Sequence, residues 1–450
     1  MKYINMLLLS LIALGLYAQQ QTEPKTFSLK DAVSYAKSNN YALKNGKLDV
    51  KASEQKVKEI LASGLPQINA SGTYNHNIQI PVQVFPNFIN GALPPGSPKG
   101  PETIEAKFGF PHSATGSITA NQLLFDGGFL MGVKASKEFV NLSRLNLNRS
   151  EIETELAVSS AYFLALLYNA DLEKLNKNIE TQQKLLSEKE SLAKSGLADK
   201  IESDRVKLQT SSLMLQRDQK VDAQKIALMV LKLQMGMRVT DSIVLSDNLE
   251  SLYEAKSKAG LEANVSYENR VEYKQLMQSV KLNEYNKKRY QYQYAPNLSA
   301  FITHQRNSFG DQFGQLGKTW YPGTIWGLSL NIPVFDGFRK QAQIQQVKID
   351  LMKNENDIAN FQTMIENEVY QAKMNFKRTS EQLEIQKGNL QLAEDIYSNT
   401  NLKTKNGLGS SLELSLAQKD LDDARNAYFG LIYSYFVSDL ELQKALGNIK

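Results

Sequence analysis

Cysteine is absent from this 450-residue sequence, and histidine occurs only three times, at His76, His112 and His304. The first absence excludes disulfides and thiolate metal sites. The three histidines show no metal-ligand spacing, and neither a Gly-x-Ser-x-Gly elbow nor a phosphate-binding loop occurs. No catalytic residue, metal or cofactor is therefore expected, and an enzyme is not. An excess of one charge is missing as well: 52 Lys and Arg face 47 Asp and Glu, too even a balance to argue for nucleic acid. Missing too is any apolar run near the roughly 20 residues that a spanning helix needs. The longest, Met6 to Leu16, lies between Lys2 and Leu16-Tyr17-Ala18 and reads as a signal peptide over residues 1–18, so export is expected. Its removal takes Lys2 and lowers the net charge from +5 to +4.

What is present is a duplication. The stretch "NQLLFDGGFL" (Asn121 to Leu130) returns as "NIPVFDGFRK" (Asn331 to Lys340), which sets Asp126 and Asp336 210 positions apart. Gly196 with Gly407 and Gly236 with Gly447 recur at an offset of 211. Pro66 and Pro296 are 230 apart, because the first copy carries an insertion. Seven of the twelve prolines lie between Pro81 and Pro111, a composition that predicts an elaborated loop without regular structure. Each copy reads helix, strand, loop, strand, very long helix, glycine break, helix.

The strands carry a period of two. From Gln67 to Gln79 every odd position is polar, including Asn69, Ser71, Thr73 and Asn75, while Ile68, Ala70, Gly72 and Tyr74 alternate with them. Ser113 to Asn121 repeats the pattern, with Ser117 and Thr119 on the polar side. Thr324 to Ile332 sets Trp326, Leu328, Leu330 and Ile332 on one face, whereas Asn297 to Arg306 alternates poorly. Such segments suit membrane strands with one wet face and one apolar face. The helices carry a heptad seam, clearest in Ile365, Val369, Ala372, Phe376, Thr379, Leu383, Gln386, Leu390, Ala393 and Tyr397. The first copy matches it with Ala161, Ala165, Tyr168, Leu172, Leu175, Ile179, Gln182 and Leu186. No proline interrupts 127–195 or 338–406, so each is expected to be one helix of about 68 residues and roughly 100 Å. Gly196 and Gly407 end them and return helices follow, so each copy closes in an αα-hairpin.

The repeated Phe-Asp-Gly is then a strand-to-helix joint, with Asp126 and Asp336 capping the first turn and Gly127 and Gly337 supplying a sharp bend. Four strands in one chain leave two open edges, and unpaired backbone cannot face hydrocarbon. The chain must therefore associate. Two copies would supply eight strands and three would supply twelve; the polar faces favour the wider assembly, because about eight strands leave an interior filled by side chains.

At this point the sequence resembles the outer-membrane efflux protein family typified by TolC, over essentially the whole mature chain. "FSLKDAVSYAKSNNYAL" (Phe27 to Leu43) is similar to its opening helix, "LPQINASGTY" (Leu65 to Tyr74) to its first strand, and the two Phe-Asp-Gly joints and two Gly-Leu tips follow the family's order. The resemblance implies a mainly α protein with a membrane β-barrel part: a duplicated helix-strand-strand-long helix-helix unit, four strands per chain, and a trimeric channel-tunnel in the cell outer membrane with a large periplasmic portion. It implies a passive channel for efflux or type I secretion that works as a homotrimer in outer-membrane lipid. A periplasmic adaptor and an inner-membrane pump of RND or ABC type would be its partners. A non-conducting coiled-coil envelope tether is the competing reading.

The implied organisation is residues 1–18 signal peptide, 19–65 periplasmic helices, and 66–125 first barrel hairpin with outer loop 81–111. Residues 126–237 then form the first helical hairpin and 238–268 an irregular equatorial segment. The second copy has 269–295 as a periplasmic helix, 296–335 as the second barrel hairpin, and 336–450 as the second helical hairpin with the C-terminus. Adaptor docking maps to the tips Gly196, Leu197, Ala198 and Gly407, Leu408, Gly409, which also read as ordinary helix breaks. The family's type member narrows its tunnel after the second tip with two acids three residues apart; here Glu413 matches the first and Leu416 departs from the second, while Glu202 is the first copy's equivalent. Ser410 to Glu413 and Asp199 to Glu202 are equally capping-box spacings, so gate and cap stand side by side. Asn69, Ser71, Thr73, Asn75, Ser117 and Thr119 would face the lumen. Tyr290, Tyr292, Tyr294, Trp320, Tyr321 and Trp326 read either as interfacial girdles or as core packing.

Overall fold

A computed structural model describes residues 25–449 apart from 93, 198, 256–264 and 407. The signal-peptide expectation therefore lies outside the described residues, as do Ala198, Gly407 and the middle of the equatorial segment. In chain order the first copy runs β1 (Lys25–Phe27), α1 (Leu29–Asn39), α2 (Tyr41–Ala62), β2 (Gln67–His76), β3 (Val82–Pro86), α3 (Ile89–Ala92), β4 (Thr103–Lys107), β5 (His112–Phe125), α4 (Gly127–Lys194) and α5 (Lys200–Met235). After β6 (Ile243–Leu245) and α6 (Leu249–Ala255), the second copy runs α7 (Val271–Tyr292), β7 (Asn297–Gly310), β8 (Tyr321–Asn331), α8 (Arg339–Lys405) and α9 (Ser411–Ala445). Two compact units result, one within Met1–Lys51, Asn141–Ser279 and Asn354–Lys450, the other within Ala52–Val140 and Val280–Lys353.

The duplication is reproduced in the 22-residue helices, the four sheet strands and both helical hairpins. α2 and α7 each have 22 residues, α4 and α8 have 68 and 67, and α5 and α9 have 36 and 35. It extends to single hydrogen bonds. Asn40 Nδ2 donates to the carbonyl of Gln234 at 2.7 Å, and Arg270 Nη1 donates to the carbonyl of Ala445 at 3.1 Å. Each is the residue just before the 22-residue helix, and each satisfies a carbonyl that the return helix leaves unpaired at its end. Gly236 and Gly447 follow those carbonyls with φ of +74° and +71°. A Cβ at Gly236 would stand 2.5 Å from the Asn39 carbonyl oxygen, and one at Gly447 would stand 2.8 Å from Asn269 Cβ. Only glycine supplies both the left-handed turn and the close approach.

The core of the first unit is built on the predicted seam. Ile365, Val369, Ala372, Phe376, Thr379, Leu383 and Ala393 are buried, as are Ala161, Ala165, Leu172, Ile179 and Gln182 of the first copy. Phe163 and Phe436 stack with centroids 4.2 Å apart and planes 9° apart. Tyr162, fully buried, sets its hydroxyl 2.9 Å from both the Phe27 carbonyl and Asp247 Oδ2, which share its one proton. That ties β1 and the segment after β6 to α4, and β1 and β6 pair in parallel. The segment 238–268 thus holds a strand and a helix where irregular chain was expected. Three-residue strands leave no period in a sequence.

The proline-rich loop is also corrected. Within 81–111, β3 and β4 pair antiparallel from Val82↔Lys107 to Pro86↔Thr103. Prolines cannot donate to a ladder, and asparagine side chains stand in: Asn87 Nδ2 donates to the Pro101 carbonyl at 2.8 Å, and Asn90 Nδ2 donates to that of Gly100 at 3.0 Å. No helix among the described residues is long and apolar enough to cross a membrane.

Candidate functional site

In the second unit, four strands form one antiparallel sheet in the order β2-β5-β7-β8. The sheet is open: β2 and β8 each have a neighbour on one side only. Because residues paired across an antiparallel ladder share a face, the register assigns every side chain. Asn69 lies beside Thr119 and Thr303, Ser71 beside Ser117 and Gln305, Thr73 beside Thr115 and Asn307, and Asn75 beside Ser113. These polar groups bond across the strands: Ser71 Oγ with Ser117 Oγ at 2.8 Å, Thr119 Oγ1 with Thr303 Oγ1 at 3.0 Å, and Thr115 Oγ1 donating to Asn307 Oδ1 at 2.8 Å. The six predicted lumen residues therefore share one face. The opposite face carries Ile68, Ala120, Ile302 and Trp326 in one row, and Ala70, Ile118, His304 and Thr324 in the next.

The two strand-to-helix joints differ from each other. Asp126 Oδ1 accepts from the Phe129 amide at 2.7 Å and caps α4 as expected. Gly127, however, is already helical. Its glycine answers a packing need, since a Cβ there would meet Tyr292 Cβ and Cδ1 at 3.0 Å. At the second joint Asp336 Oδ2 accepts from the Lys340 amide at 3.2 Å, and the bend falls on Gly337 and Phe338, with φ of +68° and +64°. A bend at Gly127 was the expectation that fails; it fails because β5 runs to Phe125 and enters the helix directly, whereas β8 stops at Asn331.

Both tips end their long helices in the same way. The Leu197 amide donates to the Leu192 carbonyl and the Leu408 amide to that of Lys403, both at 2.9 Å, the hydrogen bond of a Schellman cap, and Gly196 takes φ +69°. Leu197 and Leu408 are 77% and 80% exposed, so both tips present an apolar side chain that no described residue covers. Gly409 packs closely, since a Cβ there would lie 2.9 Å from Thr404 Oγ1.

The acids after the tips have separate fates. Ser410 and Glu413 form a reciprocal capping box, Glu413 N donating to Ser410 Oγ at 3.1 Å. Asp199 caps α5 through the Ile201 amide at 2.9 Å, but Glu202 does not complete a box. It pairs instead with Lys189 of α4 at 3.0 Å, which holds its carboxyl below the usual range. The capping expectation therefore holds in the second copy and is corrected in the first, because Lys189 offers Glu202 a stronger, charged partner.

A charged layer was not foreseen. Asn178 Nδ2 donates to both oxygens of Asp422 at 3.0 Å, Gln418 donates to Asp422 Oδ1 at 3.1 Å, and Arg425 stands 3.6 Å from it. Burial raises the Asp422 carboxyl above its ordinary value, against the pull of those donors. Beside it Asp171 is paired with Lys220. A signal did exist in the sequence: Leu414, Gln418, Leu421, Arg425 and Tyr428 step by four and three, which sets Arg425 in the seam.

Among the described residues no cluster of three or more His, Asp or Glu could hold a metal ion. Residues 279–448 match the family described as outer membrane efflux protein. No curated protein sequence matches the chain. Among solved structures the chain is similar to CusC, at 17% identity with a TM-score of 0.70 over 93% of this chain and 91% of that one. It is similar to the open state of the MtrE outer membrane channel of Neisseria gonorrhoeae, at 14% identity with a TM-score of 0.70 over 93% and 88%. It also resembles the outer membrane protein VceC of Vibrio cholerae, at 14% identity with a TM-score of 0.66 over 93% and 96%. Identities this low carry the fold alone. The second repeat thus matches the outer membrane efflux protein family, and the described length shares the fold of these channels.

Proposed function

We propose that three copies of this chain close a twelve-stranded barrel in the outer membrane and serve as a passive conduit from periplasm to exterior, in efflux or type I secretion. The observation that carries this reading is the sheet itself. Its two edges, β2 and β8, are unpaired in one chain, lipid offers no donors or acceptors to satisfy them, and one face is polar throughout its first hairpin. A lumen lined by Asn69, Ser71, Thr73, Asn75, Ser117 and Thr119 selects weakly, which suits a duct whose energy comes from elsewhere.

The exposed Leu197 and Leu408 are the contacts we assign to a periplasmic adaptor, with an inner-membrane pump of RND or ABC type behind it. The shared cap geometry and the unpartnered leucines support that assignment. Glu413 we assign to a constriction: it is free to contribute charge beyond its capping contact, whereas Glu202 is neutralised by Lys189. Three such carboxylates around one axis favour cations. Purified protein in a planar bilayer tests the conduit: steady unitary conductance is expected, and persistent silence from inserted trimers would instead indicate a non-conducting tether.

A further inference from the structure

On the face of the sheet opposite the polar one, the row next to Ala70, Ile118, His304 and Thr324 reads Gly72, Gly116, Arg306 and Pro322. An arginine thus stands on a surface whose neighbouring rows carry Ile68, Ala120, Ile302, Trp326, Ala70 and Ile118 beside His304 and Thr324. Neither glycine has an atom within 4 Å of the place a Cβ would occupy, so bare backbone floors an open notch. The cleft above it has a volume of about 530 Å³ and is lined by Ala70, Gly116, Ile118, His304, Arg306 and Trp320, together with Ser71 and Ser117. The Arg306 side chain makes no hydrogen bond or ion pair with any described residue. His304 Nδ1 is engaged by Thr324 Oγ1 at 2.8 Å, which leaves Nε2 for another partner.

On the barrel reading above, which this inference rests on, this face meets lipid. An arginine on the lipid face of a barrel is costly at the midplane and tolerated near the interfaces. Arg306 lies four residues along the ladder from the His76–His112 pair that ends the strands, on the side away from the helices. Four residues span roughly 13 Å of strand, and tilt shortens this further across the bilayer. The guanidinium therefore reaches the headgroup level of the outer leaflet, next to Trp320. A guanidinium offers paired donors that match a phosphate, and the surrounding apolar side chains match the acyl chains below it.

We propose that this cleft seats the phosphate of an outer-leaflet lipid, with Arg306 as its principal donor and His304 as a second. The test places purified trimers in phosphatidylcholine nanodiscs doped with lipid A or with its dephosphorylated counterpart. Lipid A is expected to raise Tm by several degrees over the dephosphorylated lipid, and that gap is expected to vanish in Arg306→Leu. Gly116→Leu, which fills the cleft and keeps the arginine, is expected to shrink it. Inorganic phosphate added to undoped discs is expected to change nothing. Equal Tm with the two lipids, a gap that survives Arg306→Leu, or the same gain from inorganic phosphate would each overturn the proposal. If Arg306→Leu does not assemble, the wild-type lipid pair and Gly116→Leu decide. Failure of the barrel reading would show as discs that never conduct, whereas failure of this inference leaves conducting trimers indifferent to lipid phosphate.

Discussion

Asp422 is the side chain whose surroundings oppose its charge most directly. Burial raises its carboxyl above its ordinary value even though Gln418, Arg425 and Asn178 favour the ionised form. The folded chain therefore holds that proton more tightly than the unfolded chain does. Stability is greatest where both states are protonated and falls as pH rises through and above the ordinary value. Asp422→Asn keeps the shape and an acceptor oxygen while removing the buried charge. It is expected to raise Tm by a few degrees at pH 7, with the gain fading toward pH 4; a melting series that shows no gain, or the same gain at both pH values, contradicts the assignment. Glu413 is the opposite case, a carboxylate at a helix start whose box with Ser410 leaves it exposed to solvent. Glu413→Gln is expected to lower cation preference in single-channel recordings while costing at most about 1 kcal/mol of cap. Unchanged selectivity would remove Glu413 from the gate.

At the scale of elements, the two αα-hairpins set an exposed leucine at each tip, in the same cap, 211 positions apart. Leu197→Asp with Leu408→Asp is expected to abolish adaptor capture in a pull-down while leaving Tm within a degree or two, because neither side chain is packed. Full retention of the adaptor would defeat the docking assignment. These elements were legible because their signals are local or periodic. The heptad seam ran from Ile365 to Tyr397 of α8 with two polar interruptions, Thr379 and Gln386, the glycines punctuated both copies, and the alternation of β2 named its polar face. Other features had no local signal. β1 and β6 are three residues each and separated by more than two hundred positions. The hairpin inside 81–111 depends on Asn87 and Asn90 bonding back to Pro101 and Gly100, across a stretch whose prolines argue for irregular chain. The charged layer needed partners from several helices, Asn178 and Asp422 being 244 positions apart. Gly127 and Gly337 looked alike in the sequence, yet one serves close packing and the other a left-handed turn. Composition does not distinguish those two uses of glycine.

For the whole molecule, the outer edges of β2 and β8 carry the account, since all else about the conduit depends on how they are satisfied. Because the natural chain has no cysteine, engineered pairs report on those edges without background. The decisive measurement introduces Ser71→Cys on β2 together with, in turn, Gly323→Cys, Ile325→Cys or Gly327→Cys on β8, oxidises the protein in native outer membranes, and reads the ladder on a non-reducing gel. The account predicts covalent dimers and trimers, ending at three, for at least one register, and none for either single variant. Only monomers at every register, or a disulfide confined within one chain, would contradict it.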